Sequence, residues 1–595
     1  MIAFIRRYFF EIFLFIICGI ATGCTSIPAG HISSEEEEVE NVHDGIAVAA
    51  QYRRPSEPGT FYMTAEIYLT NRGTNPISFS VVELNGEELL SMETAGKLAA
   101  EDAAKKGEKS SVNKPQDYIF GQGINWWQFY PCATAMPNAT VMLQINFRKL
   151  ITTAQTFTIH TTDGRLIRVG MPAFEMPEKA ITAITYAVDY SQMYVQYISP
   201  RASVRRLWVN GEEIKRYKIL RGLAREDACV LAFEPPVKLR TGMPVYVKVQ
   251  FKDHTVSQAL VRAFAGILID AMMLPKEEES KLRKGLNLDA DPAVVMILNT
   301  IGGDITCQDA FAKKNGFYAM PAVNDRIKSY NTFPDKLSAV HFCVAEFTAQ
   351  WDLYAALTDT AFVHPFALSH YHDPAHFFEK EDIQFHNGYI AMRPRPFMWI
   401  PEAYREKERY IEPEELKVLL WTALVQGCKG VCYYGYRHLQ DRGFKDNAQL
   451  METIVSLNKE IRKQMRLLSP LICASTNTIG DKQKGVKLYT AWAGEHGMLI
   501  VLRNLDYITD DKSNEEGKKP RFKAVVKPCV DIQLILPSWF GKAAVKPMHG
   551  EGKVIARYKQ RKVSLSIHKF GSYKVIWVKN YHSLLGRYFG WLLPG

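Results

Sequence analysis

Between Phe264 and Pro470 the apolar residues arrive in continuous runs: AFAGILIDA, VVMIL, SAVHFCV, TAFVHPFAL, RPFMWI and GVCYY. No other feature constrains the fold as much. A strand with one wet face alternates polar and apolar side chains, so an unbroken run belongs to a strand covered on both faces, as in a parallel sheet flanked by helices. The segments between the runs read as helices: TCQDAFAKKNG with Gly316 just beyond its end, EPEELKVLLWTALVQGCKG, and NAQLMETIVSLNKEIRKQMRLL. The unit is βα, repeated over roughly 205 residues, near the lower limit for an eight-stranded barrel, with six or seven strands that can be placed. The expectation for 263–470 is therefore a (β/α)8-type TIM barrel. A doubly wound open sheet is the alternative, but Asp270-Ala271-Met272-Met273 follows the first run where a dinucleotide-binding sheet carries a glycine-rich loop, and no cofactor is expected.

On both sides of this region the texture changes to period-two alternation broken by turns, the pattern of antiparallel strands with one wet face. SVVELNGEEL, with Asn85-Gly86, recurs as RLWVNGEEI, with Asn210-Gly211, and VMLQINFRK is matched with VYVKVQFKD; the copies differ by a polar insertion, AEDAAKKGEKSSVNKPQ. Two related β-sandwiches in tandem are expected, 46–170 and 171–262, the other reading being that Asn-Gly hairpins simply recur in β proteins. The aromatic cluster Trp126-Trp127-Gln128-Phe129-Tyr130 is read as core or interface in preference to a sugar platform. Alternation returns from Cys473 to Val578, so 471–582 is expected to form a C-terminal β-sandwich, and 583–595 an apolar tail that docks on the protein or on a surface. The fold class is multidomain, α/β plus all-β.

The N-terminus reads as an export signal: Arg6 and Arg7, an apolar run from Ile12 to Ile20, then Ala21-Thr22-Gly23-Cys24. The run is short for a membrane span, and small residues before a cysteine resemble a lipobox, so 1–24 is expected to be a lipoprotein signal peptide with Cys24 the lipid attachment site, the other reading being an ordinary cleaved signal or a membrane anchor with a chance cysteine. Residues 25–45, with four consecutive glutamates from Glu35, read as a solvated tether. The expected location is the cell envelope, with the membrane reached through the lipid anchor. With 47% hydrophobic and 23% charged residues the remainder is a folded chain. The net charge of the whole chain, +10, is read as dispersed among acidic residues, which argues against a nucleic-acid partner. Ten cysteines without a CxxC pair give no zinc framework.

The stretch PFMWIPEAYREKERYIEPEELKVLLWTALVQGCKGVCYYGYR, continuing through LNKEIRKQMRLLSPLI, resembles the end of the barrel in glycoside-hydrolase-like proteins of the β-galactosidase type. The resemblance implies a carbohydrate partner, poly- or oligosaccharide, and two catalytic carboxyl groups at strand ends. By that analogy Glu346 is the acid/base and Glu402 the nucleophile, although Ala345 stands where the family has an asparagine before its acid/base. Asp270 and Asp359 are further carboxylates at strand ends. His364, His370, Tyr371, Tyr434 and Arg437 complete the expected substrate-binding set, the histidines being read as hydrogen-bond donors in preference to metal ligands. The competing reading is a non-catalytic surface carbohydrate binder or scaffold with a degenerate barrel.

Overall fold

The computed structural model describes residues 41–55, 63–106, 115–198, 204–221, 228–296, 336–343, 348–365, 374–405, 410–437, 442–478, 485–507 and 523–581. Six of the apolar runs form strands of one parallel sheet: β1 (Leu268–Ala271), β2 (Val294–Met296), β3 (Leu337–Cys343), β4 (Thr360–His364), β5 (Phe397–Trp399) and β6 (Cys428–Tyr433). Their order is β1-β6-β5-β4-β3-β2, with Leu268 of the first strand opposite Gly430 of the last. First strand beside last is how a barrel closes on itself. Among the described residues the sheet remains open between β1 and β2, so the expected eight-stranded barrel is corrected to a partial, six-stranded one. At the open side of β1, Asp289 stands in for a strand: its N–H donates to Ile269 O (2.8 Å) and its Oδ2 accepts from Ile269 N (2.8 Å).

The helices named here are α1 (Glu279–Gly285), α2 (Thr348–Ala355), α3 (Pro374–Met392), α4 (Pro413–Val425) and α5 (Ala448–Lys463). The start of α4 is written in Glu412-Pro413-Glu414-Glu415: proline supplies the first helical φ, and Glu412 and Glu415 form a reciprocal capping box. Its side chains from Leu416 to Val425 are buried, apart from the half-buried Lys417, which suits a helix covered on nearly all sides; full burial of each large apolar side chain contributes about 1.5–3 kcal/mol. Lys429, next to the start of β6, is itself buried, and its Nζ donates to the carbonyls of Leu468 (3.2 Å), Ser469 (2.8 Å) and Leu471 (2.7 Å).

In the N-terminal part, strands 46–52, 63–71, 140–147 and 124–130 lie side by side in that order and face a sheet of 166–171, 155–161, 77–84 and 87–88. The next part repeats the plan with 180–186, 193–198, 228–233 and 218–220 in one sheet, and 212–213, 204–209, 244–251 and 256–262 in the other. Asn85-Gly86 and Asn210-Gly211 occupy the same hairpin, with φ of 53° and 86° in the first and 51° and 83° in the second, a left-handed pair that favours Asn-Gly. The matching of VMLQINFRK with VYVKVQFKD is corrected: strand 244–251 pairs with the Asn210 hairpin as 155–161 pairs with the Asn85 hairpin, whereas 140–147 corresponds to 228–233 in the opposite sheet. The described ends of the insertion in the first copy lie in or next to helices at 92–105 and 115–121.

The C-terminal part pairs strands 471–478, 486–493, 497–504, 573–581 and 542–550 in one sheet and 527–535, 562–570 and 553–559 in another. Buried polar hubs tie these sheets to the parallel one. Asp382 of α3 accepts from Arg503 Nη2 (2.6 Å), Tyr489 Oη (2.6 Å) and Lys487 Nζ (2.9 Å). Trp126 is 1% exposed and donates from Nε1 to Leu353 O (3.0 Å), so the aromatic cluster is core and interface. The expected signal peptide with Cys24, most of the expected tether and the tail 583–595 lie outside the described residues. No helix among the described residues is long and apolar enough to cross a membrane.

Candidate functional site

Side chains alternate along a strand, so the inward residues of the parallel sheet follow from its apolar interior. That interior holds Leu268, Ala339, Phe362, Met398, Ile400 and Cys432. Two residues further toward the C-terminal ends, the same parity gives Asp270, His341, His364, Glu402 and Tyr434. An apolar interior is thus capped by a polar layer at the strand ends, where loops of parallel α/β folds build their sites.

Within this layer the groups touch one another. His364 Nδ1 lies 3.0 Å from His341 Nε2, one donating and the other accepting, with the rings stacked at 5.1 Å. The Tyr434 ring is 5.2 Å from His364 and 5.6 Å from Tyr404. Tyr404 Oη donates to Glu402 Oε1 (3.1 Å), and Glu402 is 3% exposed. The backbone fixes this corner, since Tyr434 N donates to Pro401 O (3.1 Å) and Ala403 N to Tyr434 O (3.2 Å). A second carboxyl stands close: Glu381 of α3 is 3% exposed, its Oε2 lacks a hydrogen-bond partner, and burial followed by the charge of Glu402 pushes its carboxyl well above the usual range. Burial thus favours the neutral form of Glu381, while the Tyr404 phenol donates to Glu402, an asymmetry suited to acid–base work.

The remaining predicted residues scatter. Asp270 lies on the inner face, but its Oδ1 is occupied by Arg283 Nη1 (2.8 Å) and the Ala271 N–H (2.8 Å), and burial raises its carboxyl despite the arginine. Arg437 faces outward to Glu278 (3.6 Å), with both side chains more than half exposed, and such a pair contributes little. The placing of Asp359 at the mouth is corrected. It precedes β4 and so sits at the opposite end of the sheet, fully buried, accepting from Arg262 Nη1 (3.1 Å), Ser338 N (2.7 Å), Ser338 Oγ (3.0 Å) and Tyr130 Oη. Glu346, His370 and Tyr371 lie outside the described residues. Sequence reading missed His341, Tyr404 and Glu381; for His341 the signal was present, since it falls two residues after Ala339 in SAVHFCV. Among the described residues no cluster of three or more metal-ligating side chains occurs.

No protein-family model matches the chain, and no curated protein matches it. Solved structures that resemble it include an alpha-amylase from H.orenii, 11% identical, TM-score 0.28, covering 43% of this chain and 56% of that one. A GH2 beta-galacturonidase from Eisenbergiella tayi bound to galacturonate is 10% identical, TM-score 0.21, covering 70% and 89%. A pullulanase from Anoxybacillus sp. LM18-11 is 8% identical, TM-score 0.19, covering 89% and 100%. These neighbours are carbohydrate-active enzymes. Likenesses of this size decide neither fold nor activity, and the functional reading rests on the side chains.

Proposed function

We propose that this chain is an exported, lipid-anchored protein with a glycoside-hydrolase-like partial barrel, acting on carbohydrate at the C-terminal ends of its parallel strands. The observation that carries the reading is Glu402, a carboxylate fixed by the Tyr404 hydroxyl within a polar layer of His341, His364 and Tyr434. In the proposed reaction the Glu402 carboxylate attacks the anomeric carbon while Glu346 protonates the departing oxygen; water then hydrolyses the glycosyl ester. The test is turnover of a broad glycoside panel by the mature chain, with Glu402→Gln and Glu346→Gln each expected to lower it by about 10²–10⁴-fold or more without unfolding. Full activity in Glu402→Gln sinks the assignment.

A carbohydrate-binding protein without catalysis is the second reading, favoured by the near-complete burial of Glu402. It prevails if the wild type hydrolyses nothing in the panel yet binds an oligosaccharide, with Tyr434→Ala abolishing binding. Lipid attachment is tested separately: Cys24→Ala is expected to move the protein from the membrane fraction to the soluble one, and retention on membranes refutes it.

A further inference from the structure

The chain's net charge is unevenly placed. From Lys523 to Tyr581 there are 12 Lys and Arg against 2 Asp and Glu, an excess equal to the +10 of the whole chain. The dispersed charge read from the sequence is thereby corrected for this stretch: these C-terminal strands are strongly cationic.

Part of this charge lines a cleft of about 660 Å³, remote in sequence from the strand-end site. Its floor is one face of the sheet that pairs 542–550 with 573–581. Ala544 lies opposite Lys579 and Lys546 opposite Trp577, so Lys546 and Lys579 are diagonal neighbours on adjacent strands. Like charges so placed repel one another. Arg466 adds a third cation from the helical segment 464–467, which lines the cleft with Gln464, while Ser191 lines it from the segment before strand 193–198. Asp189 is the one carboxylate in the lining, and its own turn holds it: Ser191 N (3.1 Å) and Ser191 Oγ (2.6 Å) both donate to its Oδ1. Among the described residues Arg466, Lys546 and Lys579 make no ion pair within 4 Å; the charge of Arg466 adds to the Ser191 donors in lowering Asp189, and Lys579 lies 5.1 Å from the Tyr581 ring centre.

We infer that this cleft binds an anionic saccharide, a short oligosaccharide bearing carboxylates. Three cations spread over a sheet and a helical segment match carboxylates spaced along a chain better than one compact anion. Gln464, Ser191 and the aromatic edge of Tyr581 match hydroxyls and sugar C–H groups. The inference goes beyond the strand-end reading and stands whether or not Glu402 is catalytic.

The probe is an oligomannuronate trimer titrated into the full mature chain by calorimetry, with mannotriose as the uncharged control. Binding of the trimer alone is expected, weakening with added salt and falling about tenfold or more in Lys546→Gln/Lys579→Gln. Lys546 is exposed and Lys579 half-buried, and an unchanged thermal transition verifies the fold of the double variant. Arg466→Gln, on the helical segment, is expected to weaken the trimer independently. Glu402→Gln leaves binding unaltered, which separates this site from the other. Failure of the trimer to bind overturns the inference, as does equal binding in the double variant. Inorganic phosphate binding as tightly as the trimer, or anionic vesicles binding where the trimer does not, likewise overturns it in favour of a simple anion site or a membrane surface.

Discussion

Replacing Asp359 by alanine separates a structural hub from a substrate contact. Its carboxylate is 0% exposed and the guanidinium of Arg262 that faces it is 2% exposed, so neither charge has water as an alternative partner. Truncation leaves a buried guanidinium, the Ser338 N–H and the Tyr130 phenol without their shared acceptor. Removing one member of a buried ion pair costs about 3–5 kcal/mol, and an orphaned buried N–H alone costs about 1–3 kcal/mol. The two are not additive, so the expected loss for Asp359→Ala is about 3–5 kcal/mol. Tyr130 belongs to the first sandwich, Arg262 to the second and Ser338 to β3, so the loss should appear in the transition that separates these sheets. Urea unfolding followed by tryptophan fluorescence reads it, since Trp126 is buried at the same junction. Combining Asp359→Leu with Arg262→Met should recover much of the loss, because no uncompensated charge then remains. A shift below about 1 kcal/mol would refute the hub. So would loss of carbohydrate binding or turnover at unchanged stability.

Three further outcomes follow from the geometry. Glu381 has a folded-state pKa raised above its ordinary 4.5, so the folded state holds more protons and wild-type stability falls as pH rises above that value; Glu381→Gln should flatten this fall, read as melting temperature against pH, and parallel curves would contradict it. Lys429→Met strands three buried carbonyls and is expected to cost about 2–4 kcal/mol in denaturant unfolding, whereas an unchanged midpoint would show the Lys429 donors to be dispensable. Gly430→Ala drives a methyl into Met398 Sδ and to 2.7 Å from Leu268 Cβ, an overpacking expected to cost about 1–3 kcal/mol; a neutral effect would mean that the interior between β1, β5 and β6 yields freely.

The parallel strands were legible because burial on both faces removes polar alternation, and α4 was legible because Glu412-Pro413-Glu414-Glu415 writes its own cap. The hairpins at Asn85 and Asn210 were legible for the same local reason: a left-handed pair favours Asn-Gly. Helix α3 was not legible. Its residues PAHFFEKEDIQFHNGYIAM mix buried Glu381 and Asp382 into the face that a periodicity reading expects to be apolar. Only tertiary partners, Arg503, Lys487 and Tyr489 for Asp382, make that face buriable. Asp359 misled for a related reason. A carboxylate beside an apolar run marks a strand end without saying which end, and the ion pair with Arg262 lies 97 residues away in sequence. Within the site, Glu402 and His364 were found from strand ends, whereas Tyr404 and Glu381 come from a loop and a helix that a strand pattern does not index.

The stand-in at β1 bears on how this molecule behaves at high concentration. An unclosed sheet presents a row of N–H and C=O groups that a second chain can extend, the route to fibrils and swapped dimers. Asp289 occupies the outward N–H and C=O of Ile269 with a single residue, which offers no continuing strand for another copy to pair with. Arg462 Nη2 (3.1 Å) and Arg283, whose Nη1 donates to Asp289 O (3.0 Å), hold the plug in place from two helices. Among the described residues this one aspartate covers the edge of β1, and Asp289→Ala would bare the Ile269 N–H, so a gain in self-association at raised concentration is the change to look for.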